Sequence, residues 1–186
     1  MNQVAGPDLI VKFCELSSQK GYSQFFYGGA PGVAEQLDDV LSQRYPGLRV
    51  VGTYTPPFRP LSEAEETELC ELFARLKPDV TWIGLGAPKQ EFFMAQHLSR
   101  FDTTLMVGVG AAFDMHTGRI SDAPQWIKPL GLAWLHRLIQ EPKRLWKRYL
   151  KCNPRFVYAI TLQLLGLKEY SLKDSNQPVG MSTPAL

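Results

Sequence analysis

The stretch Trp82-Ile83-Gly84-Leu85-Gly86-Ala87-Pro88-Lys89-Gln90-Glu91 joins a strand-like apolar run to two glycines and a polar helix start. Its chemistry would be anion binding. The first N–H groups of a helix lack intrahelical partners, and the helix dipole adds positive potential at that end. Gly86 would let a phosphate approach the backbone closely. Lys89 adds a charge, and Gln90 both donates and accepts hydrogen bonds. An ordinary βα turn uses the same residue types, so the stretch alone does not choose between the two readings.

Similar turns occur elsewhere. Gly28-Gly29-Ala30-Pro31-Gly32 follows the run Ser23–Tyr27, and Gly108-Val109-Gly110-Ala111-Ala112-Phe113-Asp114 follows Thr103–Val107. GGAPG lacks the GxGxxG spacing of the dinucleotide fingerprint and reads as a phosphate loop or a tight turn. Asp114 suits either a hydrogen bond from a ribose or base N–H, or an Asx turn or helix cap. Tyr54 and Phe58 fall in the segment Gly52–Phe58 after a short strand, Leu48–Val51, where Pro56-Pro57 excludes helix. These two rings either cover a base or sugar or pack on the sheet edge.

The elements that must position these residues follow from periodicity. Helices are predicted over Gly6–Lys20, Val33–Gln43, from Ser62 to about Leu76, and after Pro88; strands over Ser23–Tyr27, Leu48–Val51, Asp79–Gly84 and Thr103–Val107. Ser62 and Glu65 form a capping-box pair. Strands alternating with helices predict an α/β fold, a Rossmann-like open, mainly parallel sheet with a C-terminal helical appendage. The glycine turns would then lie together at the carboxyl ends of the strands, where such sheets bind ligands. A nucleotide or phosphorylated-sugar site is the expectation.

The chain has 186 residues and a net charge of +2, unevenly distributed. Between Gln125 and Ile160, Lys128, Arg137, Lys143, Arg144, Lys147, Arg148, Lys151 and Arg155 face Glu141 as the sole acid, leaving the rest net acidic. The same segment carries Trp126, Trp134 and Trp146 among prolines and leucines, predicting short, broken amphipathic helices suited to a membrane interface or to packing on the sheet. Phe156–Leu167 is apolar but too short to span a bilayer. Residues 1–122 thus form the predicted core, 123–170 the appendage and 171–186 a disordered tail. Cys14, Cys70 and Cys152 show no CxxC spacing and read as reduced thiols, Cys14 as packing. His97, His116 and His136 show no metal-ligand spacing. Met1–Ile10 lacks the basic and apolar regions of a signal peptide.

Together FFYGGAPGVAE, VGTYTPPF, IGLGAPKQE, VGVGAAFD and APQWIKPLGLAWLHRLIQEPKRLWKRY resemble the WecG/TagA/CpsF family of bacterial glycosyltransferases, over roughly Gly6–Tyr149. The resemblance implies transfer of an N-acetylhexosamine, usually N-acetylmannosamine, from a UDP-sugar to a polyprenyl-diphosphate-linked acceptor. It implies action at the inner face of the plasma membrane, in cell-surface polysaccharide or teichoic acid synthesis, with no cofactor, no tightly bound metal and a tendency to self-associate. It makes Gln90 the active-site glutamine contacting sugar or diphosphate and Asp114 the carboxylate near the nucleoside. Gly28, Gly29, Tyr54, Gly86, Lys89, Gly108 and Gly110 complete the expected donor site. Arg137, Arg144, Lys147 and Arg148 are expected to meet the acceptor or membrane. Lys147 stands where the family often has an arginine, keeping charge but losing the bidentate fork.

The family's catalytic aspartate lies in a segment before the part matching Gly6-Pro7-Asp8, so the base is expected upstream of Met1 and Asp8 is not that residue. Ala133 replaces a family glutamate, and Gln3 a family arginine. The expectation is a chain that by itself binds UDP-sugar weakly or not at all and transfers slowly. A non-catalytic scaffold that keeps the nucleotide pocket and the membrane appendage is the alternative. A nucleic-acid binder using the basic segment is disfavoured, because no nucleic-acid motif is present.

Overall fold

The computed structural model describes residues 5–124, 126–127 and 131–168, without the side chain of Arg148. The predicted tail from Ser171 lies outside the described residues. The chain divides into two compact units, Met1–Asp122 and Ala123–Leu186.

The first unit is an α/β Rossmann-like fold. In chain order it runs α1 (Gly6–Lys20), β1 (Ser23–Gly28), α2 (Val33–Arg44), β2 (Arg49–Tyr54), α3 (Glu63–Leu76), β3 (Val80–Gly84), α4 (Lys89–His97), β4 (Leu105–Gly108) and α5 (Ala112–His116). The strands form a four-stranded sheet of order β2-β1-β3-β4, every pairing parallel. Connections run outward to β2 on one side of β1 and to β4 beyond β3. The winding direction therefore reverses between β1 and β3, the switch point where such sheets open a crevice.

β1 is buried at every residue, and β3 at all but its last. Parallel central strands covered on both faces need such continuous apolar runs. Alternate side chains feed two cores. Phe26, Val80 and Trp82 pack with Ile10, Cys14, Leu37 and Phe113 from α1, α2 and α5. Phe25, Tyr27 and Ile83 pack with Leu69, Phe73 and Phe101 on the opposite face. Within the first core Trp82 Nε1 donates to Gln24 Oε1 at 2.7 Å, satisfying an indole N–H that is otherwise sealed from water. Cys14 also points at Gln24 Oε1, and burial pushes its thiol up to about 11, so it is a packing residue.

One predicted boundary is corrected. β2 extends to Tyr54, so Tyr54 belongs to a strand and not to the following loop. Gly52 resembles a turn residue, but it stays in the strand, after a register shift between Gln24 and Phe25, because its missing Cβ makes room for the Phe25 ring; an added Cβ would lie 2.8 Å from that ring. α3 begins with the predicted capping box: Ser62 Oγ accepts from Glu65 N, and Ser62 N donates to the Glu65 carboxylate.

In the second unit, α6 (Ala133–Gln140) is followed by α7 (Pro142–Leu164), a single helix of 23 residues. Where short, broken helices are expected, α7 runs on through Asn153-Pro154. Pro154 sits inside α7, where it withholds one backbone N–H from the ladder without ending the helix. Trp134 of α6 meets Tyr149 of α7 edge-on at 5.7 Å.

Candidate functional site

The seam between β1 and β3 is built from paired glycines. Gly28 lies opposite Gly84 in the parallel register, with φ of +121°. A Cβ on Gly28 would fall 2.7 Å from the Gly84 carbonyl carbon. Gly29 N donates to Gly84 O at 3.1 Å, closing the first turn onto the end of β3. Under Gly84 sits the Phe113 ring, 2.8 Å from where a Cβ would be. Phe113 also meets Phe26 edge-on at 5.9 Å. Gly28 therefore lets the ends of β1 and β3 approach to backbone distance, and Gly84 makes room for the Phe113 ring. Phe113 carries no expected role in the sequence reading; the signal that could have marked it is a glycine ending a buried strand.

Gln90 joins the next turn. It lies in the first turn of α4, after Pro88 as N-cap and a cis Ala87–Pro88 bond, and is only 8% exposed. Its Oε1 accepts from Gly110 N at 3.0 Å, and its Nε2 donates to Glu91 Oε1 at 3.0 Å. Gly108 leaves the space its amide occupies, since a Cβ there would be 2.8 Å from Nε2. Gly86 has φ of +76° and accepts from Gln90 N at 3.0 Å, closing the turn into α4. No side chain caps α4, and Lys89, its first residue, is exposed.

The structure thus brings Gly28, Gly29, Gly86, Gln90, Gly108 and Gly110 to the carboxyl ends of β1, β3 and β4 in two groups, Gly28 and Gly29 against Gly84, and Gly86, Gly108 and Gly110 against Gln90. Asp114 lies in the first turn of α5 and is half-buried. His116, at the end of α5, donates from Nε2 to Pro7 O at 2.9 Å, tying α5 to the start of α1.

Tyr54 stands apart, on the edge strand β2. Its ring stacks on Tyr27 at 5.5 Å with an interplanar angle of 10°, and Tyr27 stacks in turn on Phe93 at 4.3 Å. Burial, then Glu65 and Glu68 nearby, raise the Tyr54 phenol above its ordinary pKa. One face of this ring is committed to the sheet.

In the second unit Arg137 and Arg144 converge on the same oxygen of Glu141, with Nη2 distances of 2.8 and 2.7 Å. Lys147 lies over the Trp146 ring, 5.7 Å from its centroid. Arg148 occupies α7. Among the described residues no group of three His, Cys, Asp or Glu side chains could hold a metal ion. None of the described helices is long and apolar enough to cross a membrane.

With this geometry in view, the comparison with known families is decisive: the WecG/TagA/CpsF glycosyl transferase profile matches residues 1–170. The chain belongs to the WecG/TagA/CpsF family. Two curated relatives share the printed name N-acetylglucosaminyldiphosphoundecaprenol N-acetyl-beta-D-mannosaminyltransferase. The one from Bacillus spizizenii strain W23 is 30% identical over 86% of this chain and 59% of its own length. The one from Bacillus subtilis strain 168 is 30% identical over 95% of this chain and 64% of its own length. The chain therefore spans about three-fifths of each of these WecG/TagA/CpsF relatives.

Proposed function

We propose that this chain supplies the donor side of a glycosyl transfer: it binds a UDP-linked N-acetylhexosamine and stabilises the leaving diphosphate while the sugar moves to a polyprenyl-diphosphate-linked acceptor. The observation that carries this is the meeting of the glycine turns at the rim formed by the strand ends, where Gly28 is paired with Gly84 and the Gln90 side chain is bonded to Gly110 N. Family membership supplies the reaction class, and the relatives' names the acceptor.

The chemistry fits the rim. Breaking the bond between the sugar and the diphosphate leaves negative charge on the phosphate oxygen, which preorganised N–H donors and cations stabilise. The start of α4 has no side-chain cap and carries Lys89 as its first residue, and the Glu91 carboxylate of the same turn is engaged by Gln90 Nε2. Gln90 stiffens that start through Gly110, so its donors need little reorganisation during transfer. The attacking acceptor hydroxyl must also lose its proton to a base within reach.

The second unit is proposed to rest on the membrane surface. Support comes from α7, where Phe156, Val157 and Leu164 are exposed beside the basic positions Arg144, Lys147, Lys151 and Arg155. A helix with apolar and basic surface lies in a headgroup layer without crossing it.

Calorimetric titration with UDP tests the donor reading. Saturable binding that weakens in Lys89→Ala is expected. No binding by a folded protein would overturn it. Transfer from UDP-N-acetylmannosamine to a polyprenyl-diphosphate N-acetylglucosamine acceptor tests the reaction, and co-sedimentation with anionic vesicles tests the surface.

A further inference from the structure

Beside the rim lies a second concavity. An open groove of about 610 Å³ runs along the carboxyl end of β2, lined by the start of α2 and the loop after β2. Its chemistry differs from that of the rim. Glu35 and Glu65 supply carboxylates, Thr53 and Thr55 hydroxyls, and Pro56, Pro57 and Phe58 an apolar wall. Phe58 is 87% exposed, although the same loop contains half-buried neighbours. A large ring held in water next to paired prolines and flanked by acceptors resembles a binding wall more than a packing residue.

The polar groups are held in place. Thr53 Oγ1 donates to Glu35 Oε1 at 3.2 Å. A carboxylate accepts several hydrogen bonds, so this one orients Glu35 without exhausting it. Glu65 takes both Arg59 guanidinium nitrogens, at 2.7 and 2.8 Å, together with Ser62 N. That pairing pulls its carboxyl down to about 2, so it stays ionised. The groove is joined to the rim by one bond, Thr55 Oγ1 donating to Gly28 O at 3.5 Å.

Charge decides what such a groove can take. Glu35 sits in the first turn of α2 and cancels the positive potential there. Glu65 is paired with Arg59, so Glu35 is the carboxylate that repels a diphosphate and accepts from hydroxyls. A pyranose fits: its hydroxyls donate to carboxylates, and its C–H face stacks on an aromatic ring. A uracil fits less well, because it offers a carboxylate a single donor, N3–H, set between two carbonyl oxygens. We infer that the groove beside β2, formed by Glu35, Thr53 and Phe58, is a subsite for an uncharged N-acetylhexosamine ring, separate from the diphosphate position at the start of α4. The inference rests on the sugar-transfer reading only for the identity of the sugar.

The test is amide-resolved NMR of the full chain, titrated separately with methyl N-acetyl-β-glucosaminide, UDP and UDP-N-acetylhexosamine. The glycoside is expected to shift Thr53, Thr55 and Phe58, while UDP shifts Gly84, Gly86 and Gly110. Phe58→Ala and Glu35→Gln, both at exposed positions, should each weaken the glycoside about tenfold and leave UDP affinity unchanged. If UDP-N-acetylhexosamine also shifts the groove, the ring is the donor's; if the glycoside still binds in its presence, the ring is the acceptor's. A glycoside that moves none of the groove amides would overturn the inference, as would UDP alone shifting them. The first result leaves UDP binding at the rim untouched, so the two proposals fail separately.

Discussion

The side-chain oxygen of Gln90 accepts the backbone N–H of Gly110 at 3.0 Å, fastening the start of α4 to the turn after β4. A glutamine expected to touch substrate is thus also a strut. Gln90→Ala leaves the Gly110 N–H without its acceptor and empties the space beside Gly108. We expect a loss of about 1–2 kcal/mol in denaturant unfolding, together with weaker UDP binding. Gln90→Glu keeps an acceptor for Gly110 but sets a carboxylate against Glu91, whose bond to Nε2 is lost. It should be intermediate in stability. Wild-type stability in Gln90→Ala would show that the strut contributes nothing.

Gly84→Ala forces a methyl to within 2.8 Å of the Phe113 ring, which is fully buried. The expected cost is about 1–3 kcal/mol, as for other overpacked cores. Phe113→Leu in the same background should recover part of it, giving a coupling measurable in a double-mutant cycle. Additive losses would mean that the methyl meets strand backbone instead.

Asp79, at the foot of β3, accepts from Ser23 N at 2.7 Å and Ser23 Oγ at 2.8 Å, and its own N donates to Ser23 Oγ at 3.0 Å. These bonds, the backbone one first, hold its carboxyl below the usual range in the folded chain. Its contribution is therefore complete above the unfolded value of about 4 and is lost as pH falls through the lower folded value. Asp79→Asn should cost about 1 kcal/mol at neutral pH and flatten the fall in stability below about pH 4. An unchanged acid limb would sink this account.

Glu141 holds Arg137 and Arg144 on one oxygen. Glu141→Gln removes one negative charge and releases both guanidinium groups. Arg144 is 60% exposed, but Arg137 and Glu141 are only 14% and 20% exposed, so unfolding should weaken by about 1–2 kcal/mol. Anionic vesicle binding should strengthen roughly fivefold, following about 1 kcal/mol per unit of charge near such a surface. Unchanged sedimentation would argue against a membrane role for the basic face.

Much of the fold is legible because its signals are local. The continuous apolar runs of β1 and β3 and the Ser62–Glu65 box need only nearest neighbours along the chain. β2 is misjudged at Gly52, since the reason for that glycine, the Phe25 ring, lies on another strand. Pro154 follows the local rule for a break, yet one missing N–H does not end α7. The glycine turns are visible as a set, but Gln90 bonding to Gly110 spans 20 residues and leaves no periodic trace. Phe113 beneath Gly84 is hidden for the same reason.

The indole of Trp82 is sealed in the first unit's core and bonded to Gln24, whereas Trp126, Trp134 and Trp146 belong to the second unit and stand exposed. Emission from the chain therefore divides by colour, a blue component from the sheet interior and a red one from the basic segment. Iodide extinguishes only the red. One fluorimeter cell can then follow sheet unfolding and lipid contact as separate readings, with no label attached.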